Sequence, residues 1–356
     1  MCCILPRVRP AVLGFRSIAA IIGSFAAPAL TVGLLALAAV AQNPQDAMPA
    51  SKPLATAEDA KRFPAVKEDW TNPAVNKDAL RPIPPLIAFT DEHPDYSVQL
   101  VQVQWRAADP IDLYVIRPKG LAKPPVILWL YGYPSETDMF KDEDFQKLST
   151  KGGFAVVGFL SALTGHRFHD RPMSMWFVTE LQESLATSAH DVQMVLDYLS
   201  SRDDLDTSRV GLFSQGSGAS IGILAAAVDP RIKVLDALDP WGDWPEWMSK
   251  STLIPEEERA FETKPEFLEK VATLDPLIWI PKLRGRTFRM QDSEFIKTTP
   301  QICREKLRTV LPQDATRLTY KTQDDFQAAA DGGKVLEWIK GKLREAPKSA
   351  SAANTN

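Results

Sequence analysis

The stretch RVGLFSQGSGAS, Arg209 to Ser220, sets Ser214 and Ser217 among Gly216 and Gly218. Serines and glycines so spaced suit a sharp strand-to-helix turn that presents a hydroxyl as the nucleophile in acyl transfer. Such a hydroxyl is weak at neutral pH unless a general base takes its proton. The chain has four histidines, and the last of them, His190, precedes the turn. His166 and His169, in TGHRFHDRP, are therefore the candidate bases for Ser217 or Ser214, while Asp292 and Glu294 in RMQDSEFIKTTP are the candidate acids. The same histidines can instead organise their loop or meet solvent. His190, next to Asp191, reads as a packed or surface helix residue.

LDPWGDWPEWMSKSTLIPEEER holds a second set of chemical groups. Trp241, Trp244 and Trp247 suit the lining of a pocket for an acyl, aromatic or sugar-like group, and their spacing also suits a buried helical face. Asp239, Asp243 and Glu246 add carboxylates for acid–base work if they pair. No metal or cofactor is expected. His166, His169 and Asp170 make a poor ligand set, and Cys2, Cys3 and Cys303 give neither a C-x-x-C pattern nor a disulfide framework.

Alternating strands and helices must hold these residues. YSVQLVQVQW and IDLYVIRP alternate apolar and polar residues around the turn RAADP, which predicts a hairpin. PPVILWLYGYP, GGFAVVGFLSA, SRVGLF and RIKVLDALDP are continuous apolar runs, as expected of strands buried on both faces, and GRTFRMQ and TRLTYKT are weaker examples. Leu181, Leu185, Val192, Val195, Leu196 and Leu199 share one helical face, and GKVLEWIKGKL closes the chain as a helix. The order predicts an α/β fold with a mostly parallel, doubly wound sheet and an antiparallel beginning.

The 356 residues are 45% hydrophobic and 24% charged, with a formal net charge of -4 and no basic cluster, so no nucleic-acid partner is expected. Arg7, Arg9 and Arg16 precede a long uncharged run that ends in Ala39-Val40-Ala41. This predicts a signal peptide over 1–41, giving a periplasmic or secreted body, or an uncleaved membrane anchor, with the body outside the cytoplasm in either case. A linker is expected over 42–64, the folded domain over 65–345 and a disordered tail over 346–356. Membrane contact would come only through the N-terminal segment. The sequence specifies neither a ligand nor an oligomeric state.

From about Val98 to Leu343 the chain resembles the α/β-hydrolase superfamily, in its esterase and prolyl-peptidase-like branches. ILWLYGYP resembles the strand and loop that supply part of the oxyanion hole, TGHRF the R-G-H-G loop, and RDDLDTSRVGLFSQGSGASIGILAAAVDPRIK the strand, nucleophile elbow and small-residue helix. The resemblance implies an α/β-hydrolase fold with a lid-like insertion over 241–283. It also implies a triad in the order serine, acid, histidine. Residues two positions either side of the elbow apex must be small. Ser214 at the apex would put Leu212 on one flank, and Ser217 would put Gln215 there. Gly216 gives the small flanks Ser214 and Gly218, so the nucleophile position is expected to be glycine. The acid position falls near Phe295, and the histidine loop, YKTQDDFQ, contains no histidine.

Three readings follow. The first is a non-catalytic or altered member that binds a small acyl or carboxylate ligand at the oxyanion site, through the Ser217 amide and the Gly132-Tyr133 turn. The second is an active ester or peptide hydrolase using Ser217 or Ser214 with His166 or His169. The third is a triad-independent enzyme of lyase type.

Overall fold

The computed structural model describes residues 68–107, 109–132, 138–163 and 181–345. The expected leader, linker and tail lie outside these residues, as do Tyr133, His166 and His169. In chain order the elements are β1 (Leu86–Glu92), β2 (Tyr96–Gln104), β3 (Pro110–Pro118), β4 (Pro125–Leu130), α1 (Asp138–Lys141), α2 (Glu143–Thr150) and β5 (Ala155–Phe159). Then come α3 (Leu181–Ser200), β6 (Asp206–Gln215), α4 (Ser217–Val228) and β7 (Ile232–Leu238). The short helices α5 (Trp244–Lys250), α6 (Glu256–Glu262), α7 (Pro265–Ala272) and α8 (Pro276–Trp279) fill the expected insertion. The chain continues through β8 (Thr287–Ser293), α9 (Gln301–Thr309), β9 (Thr316–Tyr320), α10 (Gln323–Asp331) and α11 (Lys334–Glu345).

The strands form one sheet in the order β1-β2-β3-β5-β4-β6-β7-β8-β9. Pairing is antiparallel from β1 to β5 and parallel from β5 to β9. The expected hairpin is β2–β3, in unbroken register from Tyr96 opposite Pro118 to Gln104 opposite Pro110. The sequence did not announce β1. Its residues do not alternate, all seven are exposed, and its pairing shifts register between Ile87 and Phe89.

The continuous apolar runs of β4 and β5 are explained by helices on both faces of the sheet. Leu128, Leu212, Leu235 and Met290 pack with α3 and α4, and Ile127, Trp129, Phe213 and Val234 with α2 and α11. Among the described residues, no helix is long and apolar enough to cross a membrane.

A buried ionic network ties the hairpin to the chain before it. Arg106 donates from Nε to Glu68, from Nη2 to Glu68 Oε2 at 2.8 Å and from Nη1 to Asp191 Oδ1 at 2.5 Å. Trp105 Nε1 donates to the same Asp191 oxygen at 2.9 Å. His190 lies with Nδ1 2.7 Å from Glu68 Oε2 and Nε2 2.8 Å from Asn72 O, so it is packed within α3. Burial alone would raise the Glu68 carboxyl, but hydrogen bonds from Arg106 and His190, with their charges, outweigh it and hold the group at about 2.

Candidate functional site

β6 runs to Gln215 and α4 begins at Ser217, so Gly216 is the turn between them, with φ 57° and ψ −126°. An L side chain rarely adopts this conformation, whereas glycine does so without a Cβ penalty. The turn is fixed by its backbone. Gly216 N donates to Leu238 O at 2.8 Å, and Gly216 O accepts from Ala219 N at 3.0 Å and Ser220 N at 3.3 Å.

The loop after β4 presses onto this turn. A Cβ on Gly132 would stand 2.7 Å from Gln215 O, and one on Gly218 would stand 2.6 Å from Tyr131 O. A Cβ on Gly216 would meet only ordinary contacts, 3.6 Å from Gly132 Cα and 3.6 Å from Trp241 Nε1. The corner at the apex is therefore narrow, bounded by a backbone on one side and an indole on the other. The Ser220 hydroxyl holds that indole's backbone, donating to Trp241 O at 2.8 Å and accepting from Trp241 N at 2.9 Å.

Ser217, the first residue of α4, is buried, and its amide opens a twelve-residue helix beside the apex. Anions and carbonyl oxygens are favoured at such a terminus. Ser214 is fully buried with its hydroxyl beneath α4, since a Cβ on Gly222 would stand 2.6 Å from Ser214 Oγ. This side chain faces helix rather than the mouth of the turn.

The acid and base positions are packed differently from what the resemblance implies. Asp292 is buried in ion pairs, accepting from Arg308 Nε at 3.0 Å and Arg317 Nε at 3.3 Å, and Glu294 is exposed. Phe295, at the expected acid position, lies 6.1 Å from the ring of Phe326, which meets the Tyr320 ring edge-on at 5.1 Å. The expected histidine loop is mostly helix. Only Lys321 and Thr322 separate β9 from α10, and Gln323, Asp324 and Asp325 form its first turn. Thr322 and Asp325 close a reciprocal capping box, with Asp325 N donating to Thr322 Oγ1 at 3.1 Å and Thr322 N to Asp325 Oδ2 at 3.2 Å.

The tryptophans expected to line a pocket are buried, and of the three it is Trp241 whose indole also borders the apex. Trp241 and Trp247 stack at 4.6 Å, Trp244 meets Trp247 edge-on at 5.8 Å, and all three are buried in the main apolar cluster. Their spacing of three reflects the buried helical face of α5 and the residues before it. The carboxylates nearby take separate partners: Asp243 pairs with Lys306 at 2.7 Å and Glu246 with Lys250 at 2.6 Å.

Asp239 was named only as one of that group, yet its surroundings set it apart. It follows β7 with φ 49°, a conformation uncommon outside glycine, and its Oδ1 accepts from Ser293 N at 2.6 Å. Burial pushes its carboxyl up to about 7, against the hydrogen bonds from Ser293 and with the charge of Asp292 adding to the rise. Nothing in LDPWGDW distinguishes this residue, because the burial comes from β8 and the segment after it. Among the described residues, no group of three or more His, Cys, Asp and Glu side chains is arranged to hold a metal.

An antiparallel start, a parallel remainder and a tight glycine elbow after the sixth strand define an α/β-hydrolase fold, and solved structures agree. The chain is similar to acetyl xylan esterase 1 from Thermoanaerobacterium sp. JW/SL YS485, with a TM-score of 0.55, 14% identity and coverage of 78% of this chain and 90% of that one. It is likewise similar to the acetyl xylan esterase of Paenibacillus sp. R4, with a TM-score of 0.55, 16% identity and coverage of 82% and 99%. The acylaminoacyl peptidase of Pyrococcus horikoshii matches with a TM-score of 0.51 and 12% identity over 74% of this chain and 51% of that one. At these identities the likeness is one of fold. No family model and no curated protein sequence matches the chain.

Proposed function

We propose that this α/β-hydrolase-fold chain is an exported protein that does not perform serine-triad hydrolysis and binds a small acyl or carboxylate ligand at its elbow. One observation supports the reading: the elbow backbone is formed around Gly216, while Phe295, at the expected acid position, packs on Phe326, which with Tyr320 belongs to the expected histidine segment. An elbow without a hydroxyl has no nucleophile, whereas its helix N-terminus, which opens at Ser217, keeps the partial positive charge that favours a carbonyl or carboxylate oxygen. The acyl groups in the names of the similar esterases and peptidase guide the choice of probes. Export rests on the arginines and the apolar run before Ala41.

The test is a fluorophosphonate probe with p-nitrophenyl acetate. Neither labelling nor turnover above buffer is expected, and Gly216→Ser alone stays inactive because no histidine follows His190. Labelling at Ser217 or Ser214, lost on mutation to alanine, would overturn the reading in favour of a displaced nucleophile served by His166 or His169. Turnover without labelling would favour the triad-independent enzyme. Titrated butyrate should shift the Ser217 amide resonance, and no shift at saturating probe defeats ligand binding at the elbow. For export, mass spectrometry of protein recovered from the periplasm or medium should give an N-terminus at Gln42. Retention of the full-length chain in the cytoplasm excludes it.

A further inference from the structure

At the amino ends of β6 to β9, the sheet edge opposite the elbow, lies a cavity of about 730 Å³. Ser208 on its wall and Gly216 at the elbow lie near opposite ends of β6, roughly 25 Å apart. The volume falls within the range of small-molecule pockets.

Its charges do not balance. Lys233, Arg286 and Lys342 line it as cations, against the carboxylates of Asp314 and Glu345. Both carboxylates are engaged: Glu345 Oε2 accepts from Lys342 Nζ at 2.8 Å, and Asp314 Oδ2 from Gly285 N at 2.9 Å. Lys233 Nζ donates to Pro230 O at 3.0 Å, a neutral carbonyl that leaves its charge uncompensated. The Arg286 guanidinium, partly exposed, has no hydrogen bond or ion pair with any described residue. Register brings these two cations together. Val234 pairs with Thr287 across β7 and β8, so Lys233 and Arg286, each one residue earlier, stand side by side with backbones roughly 5 Å apart. Like charges so placed repel, and an anion between them turns the repulsion into attraction. The rest of the wall is apolar. Phe288 of β8 and Trp338 of α11 line it. Arg289 is fixed by Asp236 at 2.9 and 2.6 Å and by Val335 O at 2.7 Å, and lies 4.9 Å from the Trp338 ring centre, which holds the indole in place. A fixed indole is a ready contact for a second aromatic ring.

We propose that this cavity binds an aromatic acid, with its carboxylate at Arg286 and Lys233 and its ring against Trp338. The site is separate from the elbow and does not depend on ligand binding there. A guanidinium meets a carboxylate with two parallel N–H donors, so Arg286 is the principal anchor. Lys233 is exposed and adds a charge that solvent and salt screen.

The probes are 2-naphthoate and its neutral isostere 2-naphthamide, titrated by calorimetry onto the folded protein, with the Trp338 indole N–H and the Ser217 amide followed by NMR. 2-Naphthoate is expected to bind about tenfold more tightly than the amide, and to shift the Trp338 signal but not that of Ser217. Arg286→Gln should weaken 2-naphthoate about tenfold, and Lys233→Gln, a change at an exposed side chain, about threefold. Arg284→Gln, which removes an exposed arginine outside the cavity, should leave the affinity unchanged. Equal affinity for acid and amide, or undiminished binding in Arg286→Gln, overturns the site. Binding that butyrate displaces and that shifts Ser217 alone puts the probe at the elbow, and overturns the site while supporting the elbow reading. Failure of 2-naphthoate to bind up to its solubility limit also overturns the proposal.

Discussion

Arg106→Ala is expected to lower folding stability by about 3–5 kcal/mol, read as a lower urea midpoint with an unchanged slope. The guanidinium lies between Glu68 and Asp191, and the Asp191 side chain is fully buried. Truncation leaves three carboxylates, those of Glu68, Asp109 and Asp191, without their shared cation, which is costlier than never having built the network. The loss falls on the junction between α3, the hairpin turn and the segment from Glu68 to Asn72, so proteolysis within that segment should accelerate as well. The acid limb has a definite sign. Glu68 is held at about 2, below its ordinary value of 4.5, so its contribution is complete above pH 4.5 and drains away as pH falls towards 2. That contribution is roughly 3 kcal/mol. Glu68→Gln should flatten the decline in stability between these pH values, and an unchanged acid limb in that variant rules out the assignment.

Gly218→Ala should destabilise the protein by about 3 kcal/mol or more, and Gly216→Ala by only about 1–3 kcal/mol. The ranking runs against intuition, because Gly216 has the positive φ. A methyl on Gly218 would stand 2.6 Å from Tyr131 O and 2.9 Å from Leu130 O, atoms of a central strand end that cannot swing aside. A methyl on Gly216 finds ordinary contacts and pays only for its backbone conformation. Differential scanning calorimetry of the two variants decides the matter. If Gly216→Ala proves the more damaging, the register that places Gly216 at the apex is wrong.

The elbow was legible because its information is local: a strand, two small flanks and a small-residue helix occupy one continuous stretch. The central strands were legible for a similar reason, since burial on both faces demands unbroken apolar runs such as VILWL. β1 escaped because an exposed edge strand has no face to bury and hence no period to read. The network around Arg106 joins residues 38 and 85 positions away, and no spacing rule connects them. Asp239 carries its perturbation in the neighbours it acquires from β8. In YKTQDDFQ the missing histidine was plain, but Thr322 and Asp325 also spelled a helix start, and that signal decided what the segment became.

The two-residue turn at Lys321 and Thr322 leaves little slack between β9 and α10. Thr322 is already engaged as the helix cap, so a histidine placed there would forfeit the reciprocal bonds with Asp325. Installing a base in this segment, which the proposed reading makes necessary for triad hydrolysis, is therefore a problem of chain length as well as residue identity.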